Sequence, residues 1–129
     1  MAELAYLLDT STCIHIFSAS IEPLRARVER IEVGSLAVSA IVFAELAVGI
    51  ERHGHGRAVE LGKLLQIAEL LPFDRDAALV YGKLPFRRAK CDRLIAAHAL
   101  SSGLTLITSN TADFSGIPGL KVEDWTHPR

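Results

Sequence analysis

The sequence predicts an α/β fold: one domain over residues 1–129, with a mainly parallel central sheet flanked by helices. Two observations carry this. Short apolar runs alternate with helical stretches along the chain, the pattern of strands joined by helical crossovers. Those runs are continuous rather than alternating in polarity, as in strands covered on both faces. The chain has 129 residues, half of them hydrophobic. That suits one ordinary domain whose core needs neither disulfides nor a structural metal.

The first run, Leu4 to Leu8, stops at Asp9. Asp9-Thr10-Ser11 then reads as a turn and helix start, followed by Ile14, Ile16 and Phe17 on an apolar face. Pro23 suits the first turn of a helix that continues through Leu24, Val28 and Ile31. Gly34 breaks the chain before a second strand, Leu36-Ala37-Val38. Ser39 caps a helix rich in apolar residues from Ile41 to Ile50, which ends at Gly54 and Gly56. Another helix follows through Val59, Leu61, Leu64, Leu65 and Ile67. Leu70-Leu71, before Pro72, is a short strand candidate, and Asp74 starts the next helix. The clearest unit comes last: Asp92 precedes a helix through Leu94–Leu100 that Gly103 stops, and Leu104–Thr108 follows at once as a strand. Leu120-Lys121-Val122 is a final strand candidate.

The net charge of −1 neither announces nor excludes a nucleic-acid partner. Basic residues are nonetheless clustered at Lys83, Arg87, Arg88, Lys90 and Arg93, as a solvated face or as a phosphate-binding patch. Cys13 and Cys91 are too far apart for a metal knuckle and too few for a disulfide framework. Cys13, among apolar neighbours, is expected to pack as a small hydrophobe. With no evident leader and no apolar run near the ~20 residues a bilayer requires, the expected compartment is the cytoplasm.

Function is read from four carboxylates. Asp9 ends a buried strand, where sites form in open parallel sheets. Taken alone, helix capping is its stronger reading. Glu45 lies mid-helix among Ile41, Phe43, Ala44, Leu46, Ala47 and Val48, with no Lys or Arg three or four places away. An ionised Glu in such surroundings needs a partner, because desolvation costs several kcal/mol. Asp92 alone passes as an N-cap and Asp113 as a loop residue. Together, a parallel sheet can bring the four to one edge, where they would repel one another without a cation. An all-oxygen ligand set favours Mg²⁺ or Mn²⁺ over zinc. Such a site suits phosphoryl hydrolysis. Thr10, Ser11 and Asn110 can position water or a phosphate oxygen, and Ser39, Thr108 and Ser109 are weaker candidates.

Other residues are read more plainly. His53 and His55, in His-Gly-His-Gly, form a solvated helix end. His98 packs or bonds locally, His15 can lie near the site, and Trp125 anchors the C-terminus. Nothing beyond nearby basic charge argues for a reactive Cys91. A receiver-type phosphoacceptor wants paired acids after the first strand and a Lys after a late one; Asp9 is single and no Lys lies near Thr108. A dehalogenase-like phosphatase wants Asp-x-Asp, and Ser11 fills the second place.

Leu8–Ser11, Ser39–Leu46, Asp92–Ala99 and Thr108–Phe114 resemble the four motifs of PIN-domain VapC toxins, and Pro118–Trp125 resembles that family's C-terminus. The resemblance spans nearly the whole chain in order. It implies the toxin half of a type II toxin–antitoxin pair: a homodimeric, metal-dependent endoribonuclease acting on tRNA or rRNA. Asp9, Glu45, Asp92 and Asp113 take the place of the family's acidic quartet, as catalytic residues and ligands of Mg²⁺ or Mn²⁺. Thr10 and Asn110 match its polar supports. A VapB-like antitoxin is implied that pushes a basic side chain into the acidic pocket. The alternative is a solitary or catalytically silent PIN protein that binds or processes RNA without an antitoxin.

One stretch departs from the family's commoner form. Only Lys83 to Cys91 separates Gly82 from Asp92, where many relatives carry a longer helix and loop. Arg87, Arg88, Lys90 and Arg93 are assigned to RNA phosphates at this rim. Removing their charge is expected to weaken RNA binding and flatten its dependence on salt. Filter-binding titrations across salt concentrations check this, and unchanged binding refutes the assignment.

Overall fold

Tyr6–Leu8 forms the first strand, β1, and Asp9 caps the helix that follows, α1 (Thr10–Ser18). Helix α2 (Glu22–Arg30) has Pro23 in its first turn. Strand β2 (Leu36–Ser39) runs directly into α3 (Ala40–His53). Then come α4 (Gly56–Ile67), β3 (Glu69–Leu71), α5 (Arg75–Lys83) and α6 (Cys91–Ser102). Strand β4 (Thr105–Ile107), a single 3₁₀ turn at Thr111–Phe114 and β5 (Val122–Glu123) complete the chain. This computed structural model describes residues 3–53, 56–85 and 91–128.

The strands form one sheet in the order β3-β2-β1-β4-β5, and every pairing is parallel. The chain therefore steps outward from β1 through β2 to β3, then returns to the other side of β1. The order reverses between β1 and β4, which is where open α/β sheets place a crevice at their carboxyl ends. Leu7 and Leu8, Ala37 and Val38, and Leu106 and Ile107 are all fully buried. Successive strand side chains face opposite ways, so burial of both neighbours means that both faces are covered. Each buried Leu, Ile or Val contributes roughly 1.5–3 kcal/mol.

Local chemistry sets the element ends. Gly103 (φ +70) terminates α6 in a left-handed residue: its N–H donates to Leu100 O, and Leu104 N–H donates to Ala99 O. These two bonds satisfy carbonyls the helix leaves open and turn the chain straight into β4. Gly34 (φ +92) does the same work in the turn before β2, closed by Ser35 N–H to Glu32 O. In α4 only part of the apolar set turns inward. Leu61, Leu64 and Ala68 are buried at helical spacing, whereas Val59, Leu65 and Ile67 are exposed. Asp92 departs from its reading as a cap: α6 begins at Cys91, so Asp92 lies inside the first turn. Among the described residues no helix is long and apolar enough to cross a membrane.

Trp125 anchors the C-terminal segment as expected. It is buried, meets the Tyr6 ring edge-to-face at 4.9 Å, and lies under the Arg27 guanidinium at 4.8 Å. Its Nε1–H donates to Glu123 Oε1 at 2.9 Å. Cys13 is fully buried, and burial pushes its thiol pKa well above the ordinary range, with Asp9 adding to the rise.

His98 packs as expected, but its hydrogen bond is not local. It is buried, with Nδ1 2.8 Å from Ser39 Oγ and the Phe73 ring edge-to-face at 5.5 Å. Burial lowers its pKa from 6.5, against an opposing pull from Asp74. The sign of the linkage follows. As pH falls past 6.5 the unfolded chain takes up a proton that the folded chain still declines, so acidification drains stability. Wild type is therefore expected to lose Tm more steeply than His98→Asn between about pH 7 and 5. Parallel Tm profiles for the two proteins would argue against a neutral buried imidazole.

Candidate active site

The parallel register aligns three strand ends. Leu8 pairs with Val38 on one side and Ile107 on the other, so Asp9, Ser39 and Thr108 come next along adjacent strands. Asp9 continues the ladder by donating its N–H to Ile107 O at 3.0 Å. Its side chain is 5% exposed. Oδ1 accepts Thr12 N–H at 2.8 Å, and the Ser11 hydroxyl bridges Oδ1 and Oδ2 at 3.0 and 3.1 Å. The Thr12 hydroxyl donates to Ile107 O at 2.9 Å, tying α1 back to β4. Capping and site placement are thus properties of the same carboxylate. The positive end of the α1 dipole favours its charge.

Glu45 is half-buried on α3, and among the described residues its hydrogen-bond partner is a hydroxyl. Thr10 Oγ1 donates to Glu45 Oε1 at 2.6 Å. Thr10 directly follows Asp9, so one residue links the two acids. On the other side the Cys91 thiol lies close enough to Glu45 and Asp92 to feel both charges. Partial removal from water raises the pKa of this thiol, and the Glu45 and Asp92 charges raise it further. Asp9 and Glu45 are therefore joined through Thr10, and Glu45 lies near the first turn of α6 that carries Asp92.

Asp113 is placed differently. It sits in the 3₁₀ turn beyond β4, its side chain exposed, with its N–H donating to Asn110 O at 3.0 Å. Asn110 is exposed too, and its N–H donates to Thr108 Oγ1 at 3.0 Å. Neither side chain makes a hydrogen bond among the described residues. Ser109, a lesser candidate in the sequence, is better connected. Its hydroxyl donates to Ser11 Oγ at 3.1 Å and lies 3.5 Å from His15 Nε2, which puts His15 near the site as expected. Arg93 is half-buried in the first turn of α6. Arg87, Arg88 and Lys90 lie outside the described residues, as does His55.

Among the described residues no three His, Cys, Asp or Glu side chains gather closely enough to hold a metal. The donor chemistry still fits a hard divalent cation. Asp9 and Glu45 offer oxygen alone, and among the described residues neither forms an ion pair. Magnesium binds through one or two carboxylates and keeps several waters, so it does not need a closed protein cage. From Thr10 and Glu45 a groove of about 200 Å³ extends over Ile14, Phe17, Leu46, Gly49 and Ile50.

Comparison with known proteins adds a family. The PIN domain profile matches residues 6–120. The tRNA(fMet)-specific endonuclease VapC of Salmonella typhimurium is 33% identical, over 95% of this chain and 98% of that protein. Among solved structures, VapBC2 from Rickettsia felis, bound to a promoter DNA fragment, superposes with a TM-score of 0.85. It is 27% identical and covers 95% of this chain and 99% of that one. DNA-bound VapBC from Salmonella typhimurium also reaches 0.85, at 30% identity over 95% and 98% of the two chains.

The two roles of Asp9 can be separated in metal-free protein. Asn caps a helix as well as Asp, whereas Ala does not. Urea denaturation should show Asp9→Ala losing about 1 kcal/mol and Asp9→Asn losing less. Equal losses would contradict the capping role.

Proposed function

The chain belongs to the PIN domain family, and we propose that it is the toxin half of a type II toxin–antitoxin pair, a Mg²⁺- or Mn²⁺-dependent endoribonuclease. Its place is the cytoplasm, as a homodimer restrained by a VapB-like antitoxin. The near-full-length likeness to a tRNA(fMet)-specific endonuclease supports tRNA as the substrate class. One observation carries the reading. A nearly buried carboxylate, Asp9, stands at the reversal point of a parallel sheet, joined to Glu45 through Thr10, and neither acid has a cationic partner among the described residues.

In this reading Asp9, Glu45, Asp92 and Asp113 hold the cation, some of them through its waters. The bound ion supplies Lewis-acid polarisation of the phosphodiester and a coordinated water of lowered pKa. The protein's own work is positional. Ser11 and the Thr12 N–H fix the Asp9 carboxylate, and Thr10 fixes Glu45. Asn110, exposed beyond β4, is free to meet a phosphate oxygen or water. The groove beside Glu45, with Ile14 and Phe17 on its wall, gives an antitoxin segment an apolar seat next to the acids.

Purified, antitoxin-free protein is expected to cut total bacterial RNA into discrete fragments with Mg²⁺. Cleavage should vanish with EDTA and in Asp9→Asn, and fragment ends should map to tRNA. No cleavage by folded, metal-loaded wild type would favour a binding role, and ends mapped to rRNA would move the substrate class.

A further inference from the structure

We propose that His98 is a positioning residue for the acidic site: with Ser39 it clamps α6 to the β2–α3 junction and so sets the separation of Asp92 from Glu45. The inference rests on Asp9, Glu45 and Asp92 being the metal site.

The geometry is a two-point contact. Ser39 and Glu45 are six residues apart, as are Asp92 and His98, about 9 Å of helix in each case. Ser39 meets His98 at one end, and Glu45 lies near Cys91 in the first turn of α6 at the other. The two segments therefore run in opposite directions, with the clamp at one end and the acids at the other.

Each partner in the clamp is committed. Ser39 is fully buried, and its Oγ accepts Ile41 N–H at 3.0 Å in the first turn of α3. The hydroxyl and His98 Nδ1 are 2.8 Å apart: a neutral ring protonated on Nε2 accepts from the hydroxyl, and the other tautomer donates to it. Phe73, before the Asp74 cap of α5, packs on the ring edge-to-face and holds its orientation.

Apolar packing registers α6 here through Ile95 and otherwise through small side chains. Its neighbours around His98 are Ala96, Ala97 and Ala99, all fully buried. Alanines allow close approach but interdigitate weakly, so a helix resting on them can slide. Like charges on Glu45 and Asp92 push the two elements apart at the site end. A directional bond at the other end opposes both displacements.

Mn²⁺ binding to the purified protein, measured by calorimetry below the melting transition, reads this without RNA. His98→Leu fills the space without the bond, whereas the side-chain oxygen of His98→Asn replaces Nδ1. Wild type should bind, Asp9→Asn should not, His98→Leu should bind about tenfold more weakly, and His98→Asn should approach wild type. A merely structural role would lower Tm and leave the affinity of folded protein unchanged. Wild-type affinity in folded His98→Leu overturns the inference, as does equal weakening in the Leu and Asn variants. If His98→Leu does not fold, Ser39→Ala breaks the same bond, and undiminished affinity there is equally fatal. No Mn²⁺ binding by wild type would instead remove the metal-site reading itself, a distinguishable failure.

Discussion

A carboxylate leaves water only where hydrogen bonds replace its hydration, and the site depends on how Asp9 meets that condition. Its replacements come from the next three residues: the Ser11 hydroxyl and the Thr12 N–H at the open end of α1. The donors exist because a helix starts there, and the helix starts there because Asp9 caps it. The backbone of Asp9 meanwhile continues the β1–β4 ladder, and the Thr12 hydroxyl fastens the first turn to β4. Charge, cap and strand end are one construction. Moving Asp9 by one residue would break all three and turn its side chain to the other face of the sheet.

From that anchor Glu45 is reached through a neutral group: Thr10 spans from α1 to Glu45 on α3, and Glu45 in turn lies near the first turn of α6. A hydroxyl donor orients a carboxylate without neutralising it. An arginine in its place would satisfy the acid and also cancel the negative field that a cation needs. Among the described residues the charges of Asp9 and Glu45 stay uncancelled, and the cost is repulsion between elements that must stay in contact.

Much of this was legible in the sequence because it is local. The Leu4–Leu8 run ending at Asp9, the Gly103 stop before β4 and the Asp74 cap each depend on a few adjacent residues, and each stands as read. That no cation three or four places away on its own helix pairs with Glu45 can be read from its neighbours. That Thr10 supplies the replacement donor cannot, since thirty-five positions separate them. The His98–Ser39 bond spans fifty-nine positions and was hidden for the same reason. A histidine among alanines shows no partner until two helices are laid side by side. Taken alone, Asp92 passes for a cap in the sequence because capping residues and first-turn acids obey the same preference for a helix N-terminus. Ser109 ranked too low because its partners, Ser11 and His15, belong to the first helix.

A cation held by Asp9, Glu45 and Asp92 would add attraction where their like charges otherwise repel. With it, attraction replaces repulsion and the elements are drawn inward. The sheet resists, since β1, β2 and β4 are packed on both faces with no freedom to slide. α6 is less constrained at its N-terminal end, where Cys91 is exposed, than around His98, where Ile95 and three alanines are buried. Adjustment on metal binding therefore falls on the element that carries Asp92, while Asp9, held by strand, cap and hydroxyl together, stays where folding put it.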